Sequence, residues 1–163
     1  GEKFEKKTIF LPQLLMSAEA ASAAFDVIKS SFSGSAQSKK LKVVVATVKG
    51  DIHDIGKNIV KTLLVNYGFT VYDLGRDVEP QLVADEVKRT GAQVCGLSAL
   101  MTTTVRSMEQ TIKLLREQCP GVKIVAGGAV MNEEYAAAAG ADVYCRDAMA
   151  TVRYCESQEK LLG

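Results

Sequence analysis

The feature that most constrains this chain is a fivefold alternation. Short apolar, β-branched runs at 41–48, 69–74, 93–98, 122–126 and 142–145 are each followed by a stretch with helical periodicity. The helical stretches are 56–67, 80–90, about 103–118, 131–139 and 147–161. The punctuation agrees. Gly68 stops the first helix, Pro80 starts the second, Gly91 ends it, Pro120-Gly121 halts the third and Gly140 closes the fourth. Strands this short and this uniformly apolar have no solvent face. They belong in a parallel sheet covered by helices on both sides.

The expected fold is therefore α/β: a five-stranded, parallel, doubly wound sheet of flavodoxin-like, Rossmann-like type. Its connections are right-handed crossovers and its strand order is 2-1-3-4-5. Ahead of the sheet, Phe10-Leu11-Pro12-Gln13 opens one more helical pattern, reaching about Phe32. Pro12 suits a first turn, where its missing N–H costs nothing. Leu14, Leu15, Ala18, Ala21, Phe25 and Ile28 follow at helical spacing. A single amphipathic helix cannot bury its own apolar face. It must lie on the main domain, on a partner or on further helices, and left uncovered it would promote association. The chain begins close before it. The expectation is that residues 1–32 are the C-terminal part of a truncated helical cap, 33–40 a polar linker and 41–163 the main domain.

Composition removes several function classes. Lys plus Arg number 20 against 19 Asp plus Glu, so there is no basic excess for nucleic acid. Trp is absent and aromatics are 6%, which leaves little to stack on bases. No apolar run reaches the roughly 18 residues of a membrane span, and the charged start has no signal-peptide core. The four cysteines form no C-x-x-C pair, and one histidine cannot complete a Cys/His zinc site. Cys95 and Cys145 fall inside apolar runs and are expected to be buried thiols in a reduced, cytoplasmic protein.

Ligands of parallel α/β sheets bind at the carboxyl ends of the strands. The first strand ends in Gly50-Asp51-Ile52-His53-Asp54-Ile55-Gly56, which carries the chain's one histidine beside two carboxylates. The third ends in Ser98-Ala99-Leu100-Met101-Thr102-Thr103-Thr104, and the fourth in Gly127-Gly128-Ala129. The strand order brings the first and third together. Each piece alone is open to a plainer reading. Asp51 or Asp54 could cap the next helix, the threonines could cap the third, and the glycine pair could be a tight turn. The Gly50–Gly56 spacing matches neither the P-loop nor the dinucleotide fingerprint.

Taken together the motifs are specific. Asp51-x-His53-x-x-Gly56, Ser98-x-Leu100 and Gly127-Gly128 stand in order at successive strand ends. From about residue 41 to 160 the sequence resembles the cobalamin-binding domain of the methionine synthase and corrinoid methyl-carrier family. The Phe10-Leu11-Pro12-Gln13 helix looks like the last helix of that family's cap. The run His53-Asp54-Ile55-Gly56-Lys57-Asn58-Ile59-Val60 looks like the methyl-transfer branch.

The resemblance implies a cobamide bound with its own base off cobalt and His53 as lower axial ligand. Asp51 would hold the other imidazole nitrogen, and Thr104 matches the hydroxyl that continues the relay. Gly50 and Asp51 belong to the cofactor-binding loop, and Ile52, Asp54 and Ile55 would meet the corrin or its amide arms. Gly56, Ser98, Gly127 and Gly128 match positions that line a slot for the nucleotide tail. Ser98 and Thr102 would offer it hydroxyls, Leu100 an apolar wall, and Ala148 a further contact. Each methyl transfer would make and break the His53–cobalt bond, with Asp51 stabilising the imidazolium left behind. Such a chain is a carrier more than a complete enzyme. It would serve methyl-donor and methyl-acceptor methyltransferase domains or subunits and a reductive activator. The rival readings are an adenosylcobalamin domain of a mutase, a B12-dependent regulator, and a cofactor-free receiver-like domain.

Overall fold

A computed structural model describes residues 41–162, together with Thr8, Phe10, Pro12, Gln13 and Met16. Of the expected cap helix, Pro12, Gln13 and Met16 are helical. The rest of that helix and the linker at 33–40 lie outside the described residues.

The strands are β1 (Lys42–Thr47), β2 (Thr70–Asp73), β3 (Val94–Ser98), β4 (Lys123–Gly127) and β5 (Val143–Tyr144). The helices are α1 (Ile55–Asn66), α2 (Pro80–Thr90), α3 (Val105–Gln118), α4 (Glu133–Ala138) and α5 (Ala148–Leu162). All neighbouring strands run parallel, in the order β2-β1-β3-β4-β5. The fold class is the one read from the alternation, and the strand order is the one common among five-stranded sheets of this type. Among the described residues no helix is long and apolar enough to cross a membrane.

Successive residues of a strand point to opposite faces, and both faces are buried here. Val44, Ala46, Cys95, Leu97, Ile124 and Ala126 form one core with Val83 and Val87 of α2, Met108, Ile112 and Leu115 of α3, and Ala136 of α4. Val43, Val45, Val94 and Val125 form the other with Leu63 and Leu64 of α1 and Met149, Val152 and Cys155 of α5. Each fully buried Val, Leu or Ile side chain contributes roughly 1.5–3 kcal/mol. That requirement on both faces is why the strands read as unbroken apolar runs rather than alternating ones.

Element boundaries differ from expectation by one or two residues. A 3₁₀ turn occupies Thr102–Thr104 and the α-helix starts only at Val105. The reason is tertiary: the Leu100 and Met101 N–H groups both donate to the Asp51 carboxylate. α4 has six residues, opened by Asn132, whose side chain accepts the Tyr135 N–H at 2.7 Å. β5 has two residues and lies at the sheet edge.

The α1/α5 face of the sheet tapers. Along β3 that face reads Val94, Gly96, Ser98, and along β4 Val125, Gly127. The register aligns Val45, Gly96 and Val125 in one row and Thr47, Ser98 and Gly127 in the next. Large side chains hold sheet and helices together at the amino ends of the strands. At the carboxyl ends the side chains shrink, and a groove opens between sheet and helices.

Candidate functional site

That groove is a cavity of about 750 Å³, walled by the β1, β3, β4 and β5 loops and the first turns of α1 and α5. Its lining is mostly apolar, and His53 stands in its wall.

His53 is held from behind. The Asp51 side chain is fully buried. Its Oδ1 accepts the His53 backbone N–H and the His53 Nδ1–H, both at 2.9 Å. Its Oδ2 accepts the Leu100 N–H at 2.6 Å, the Met101 N–H at 3.3 Å and the Thr104 hydroxyl at 3.0 Å. The Thr104 hydroxyl also lies 2.8 Å from the Met101 carbonyl; its single proton serves one acceptor or is shared. Burial is the largest single influence on Asp51 and works against its charge. The Leu100 and His53 N–H groups, the His53 ring and Thr104 together outweigh it and hold the carboxyl at about 2, against 3.8 ordinarily. An ionised carboxylate only accepts, so the neutral imidazole carries its proton on Nδ1 and leaves the Nε2 lone pair available. The ring is 47% exposed.

The plainer readings of these residues fail on geometry. Asp54 occupies the N-cap position of α1 but makes no side-chain cap bond. Thr104 occupies that of α3 and makes none either; its hydroxyl faces Asp51. Gly128 has φ +116°, and a Cβ there would lie 1.9 Å from the Ala99 carbonyl oxygen. The β3 and β4 loops approach so closely, with Ala99 N–H on Gly127 O at 3.1 Å, that only glycine fits. Gly56 is different: a Cβ there meets nothing within 4 Å. Glycine at that position leaves room in the cavity wall and answers no backbone need.

Of the residues singled out from sequence, Ile52, His53, Asp54, Ile55, Gly56, Ser98, Leu100, Gly127, Gly128 and Ala148 line the cavity. Asp51 and Thr104 are buried behind His53. Gly50 donates its N–H to Asp77 Oδ1 at 2.8 Å. Thr102 is exposed in the 3₁₀ turn, away from the lining.

Sequence reasoning missed several others. Thr47 is fully buried, its Oγ1 3.4 Å from Ser98 Oγ. Lys57 is buried in the cavity wall, where its ammonium donates to Asp73 Oδ1 and to Asn58 Oδ1 at 2.9 Å. Lys61 reaches Asp73 Oδ2 at 3.0 Å. Burial opposes the Asp73 charge most, but Lys57, the Gly75 N–H and Lys61 hold its carboxyl below the ordinary range. Arg76 and Arg146 flank the cavity from the β2 and β5 edges. The one available signal was a charged residue at a strand end, as at Asp73.

Among the described residues there is no group of three or more His, Cys, Asp or Glu able to hold a metal ion. The donor set offers a metal one neutral imidazole nitrogen. That fits a metal that brings its remaining donors in a macrocycle.

An open parallel sheet that presents one carboxylate-held histidine over an apolar slot has the form of a small-molecule-binding domain. The family model of the B12 binding domain matches residues 41–153, and a second one, also described as a B12 binding domain, matches residues 1–29. The chain belongs to the B12 binding domain family, and its cofactor is a corrinoid. Among curated relatives, dimethylamine corrinoid protein 2 of Methanosarcina acetivorans is 40% identical over the whole of this chain and 76% of its own length. Among solved structures, a cobalamin-binding protein from Desulfitobacterium hafniense superposes with a TM-score of 0.82 at 35% identity, over 96% of this chain and 75% of that one. The methanol:cobalamin methyltransferase complex of Methanosarcina barkeri gives 0.88 at 31% identity, over 98% of this chain and 61% of that one.

Proposed function

We propose that this chain is a corrinoid methyl carrier that holds a cobamide with its own base off cobalt and His53 in its place. The observation that carries this reading is the His53–Asp51 pair: a fixed Nδ1–H tautomer with Nε2 available at the cavity wall. When bound, the corrinoid supplies a cobalt centre that takes up a methyl group from one partner and yields it to another.

The chain's own residues divide the remaining work. Asp51 orients the ring and, through the Nδ1–H bond, leaves the Nε2 lone pair facing the cavity. Whenever Nε2 takes a proton, both ring nitrogens become donors, and the buried carboxylate stabilises the resulting charge. Leu100, Met101 and Thr104 keep that carboxylate ionised and immobile. A volume of about 750 Å³ is that of a small-molecule pocket, so it suits the nucleotide tail. Gly56, Ser98 and Gly127 leave space for the tail, and Ala148 opens α5 beside it. Ile52, Ile55, Leu100 and Met101 are all at least 39% exposed around His53. They form an apolar rim on which a corrin face could rest.

The partners are a methyl-donor methyltransferase, a methyl-acceptor methyltransferase and a reductive activator. The relatives' names support a methylated amine or methanol as the methyl source. The second family match, at residues 1–29, supports the division into a cap portion at 1–32, a linker at 33–40 and the corrinoid domain at 41–163. Four free cysteines, three of them buried, support a reduced, cytoplasmic setting.

The test is an absorbance spectrum after adding a cobamide and removing the excess. Wild-type protein is expected to retain a corrin spectrum. His53→Gly is expected to retain some cofactor through the tail, with altered cobalt bands. Identical spectra and identical methyl turnover in the two proteins would overturn histidine ligation.

A further inference from the structure

The His53 loop is anchored on two sides. From the β3 side, Leu100, Met101 and Thr104 grip the Asp51 carboxylate. From the β2 side, the chain after β2 runs on beside the end of β1. Thr47 N–H donates to Gly75 O at 3.0 Å, Val78 N–H to Thr47 O at 3.1 Å, and Val48 and Val78 form an isolated parallel bridge. In this extension sits Asp77, the one non-glycine residue with positive φ among the described residues, at 55°. Such a conformation costs energy outside glycine and persists where surrounding contacts enforce it.

Those contacts all run to the His53 loop and its approach. Asp77 Oδ1 accepts the Gly50 N–H at 2.8 Å, where Gly50 itself has φ +82°. The Asp77 backbone N–H donates to the Asp51 carbonyl at 3.0 Å. Lys49 Nζ lies 3.2 Å from the same Oδ1 and 3.0 Å from Glu79, bracing the carboxylate. The left-handed turn at Asp77 is what lets one residue reach Gly50 with its side chain and Asp51 with its backbone.

We propose that Asp77 is a positioning residue for His53. It clamps the Gly50–Asp51 backbone against the β2 extension, so that the Asp51 carboxylate meets the imidazole Nδ1–H at a fixed distance. Asp77 lies outside the cavity lining and acts through the loop. The consequence for cofactor rests on the corrinoid reading above; the positioning of the ring does not.

The variants are Asp77→Gly and Asp77→Asn. Glycine adopts positive φ readily, so the first variant keeps the turn and its N–H while losing the carboxylate. Asparagine also tolerates this conformation and keeps an acceptor oxygen. The chain has one histidine, so its ring ¹⁵N resonances report His53 alone, recorded in cofactor-free protein at about pH 8.5, where an ordinary imidazole is neutral. Wild type is expected to show the Nδ1–H tautomer. Asp77→Gly is expected to shift toward the tautomer mixture of a free imidazole, and Asp77→Asn to stay close to wild type. Aquocobalamin affinity should fall about tenfold in Asp77→Gly, the lower end of what losing support of a metal-binding histidine costs. A folded Asp77→Gly with wild-type ring resonances would overturn the proposal. So would equal disturbance in both variants, because the acceptor oxygen would then not be the positioning element. Displaced resonances in Asp77→Gly alone support it whether or not wild type retains a cobamide, and that retention separately tests the carrier reading.

Discussion

At the scale of the residue, the site depends on Asp51 more than on the histidine it serves. Five donors converge on one buried carboxylate, and they determine which imidazole nitrogen carries the proton. The same contacts predict a pH dependence. The folded carboxyl, at about 2, binds its proton more weakly than the unfolded one at 3.8. The contribution, about 2 kcal/mol, is complete above about pH 5 and is lost as pH falls through 3.8 toward 2. Asp51→Asn removes it. The amide oxygen is required where Leu100, Met101 and Thr104 donate, so the NH₂ group must face His53. There it opposes the His53 N–H and donates to Nδ1, which forces the proton to Nε2. Urea unfolding at pH 7 is expected to show a loss of about 2 kcal/mol or more and a flatter acid limb. An Asp51→Asn protein as stable as wild type at pH 7 would sink this account.

At the scale of the element, the strand-end loops carry glycines for two distinct reasons, and a pair of substitutions separates them. Gly128→Ala drives a Cβ into the Ala99 backbone at positive φ. It is expected to cost more than about 2 kcal/mol in urea unfolding, because neither loop can retreat. Gly56→Ala adds a methyl to open space in the first turn of α1. Alanine is the better helix former by up to about 1 kcal/mol, so stability should hold or rise while cobamide retention falls. A Gly56→Ala protein that retains cobamide as wild type does would show that this wall does not touch the ligand. Sequence alone put both glycines in one class, since a motif does not say whether a missing side chain serves the backbone or the cavity.

At the scale of the molecule, the cavity lies where the parallel topology gathers its loops, and the taper of β3 and β4 makes it deep. An apolar slot with a half-exposed rim is costly to leave in water, and a ligand that binds only the folded state stabilises it by mass action. At a cobamide concentration one hundred times Kd the gain is about 2.7 kcal/mol. For a domain of this size that is a rise in Tm of about 5–10 °C. Thermal unfolding with and without aquocobalamin checks it, with a smaller rise expected in His53→Gly. No rise would mean that the slot does not hold the cofactor.

The sequence by itself determined the architecture: five apolar runs, each answered by a helical period, admit only a covered parallel sheet. It also marked His53, Asp51 and the strand-end motifs, because those residues are close in the chain and placed by the ends of their strands. The tertiary structure decided the rest. Asp51 finds the Leu100 N–H about fifty residues away, Asp77 folds back on Gly50, Lys57 meets Asp73, and Thr47 faces Ser98 across two strands. None of these pairings has a period or a local spacing to betray it. Each exists because strand order and register bring distant segments to one edge of the sheet, where buried polar groups must find partners.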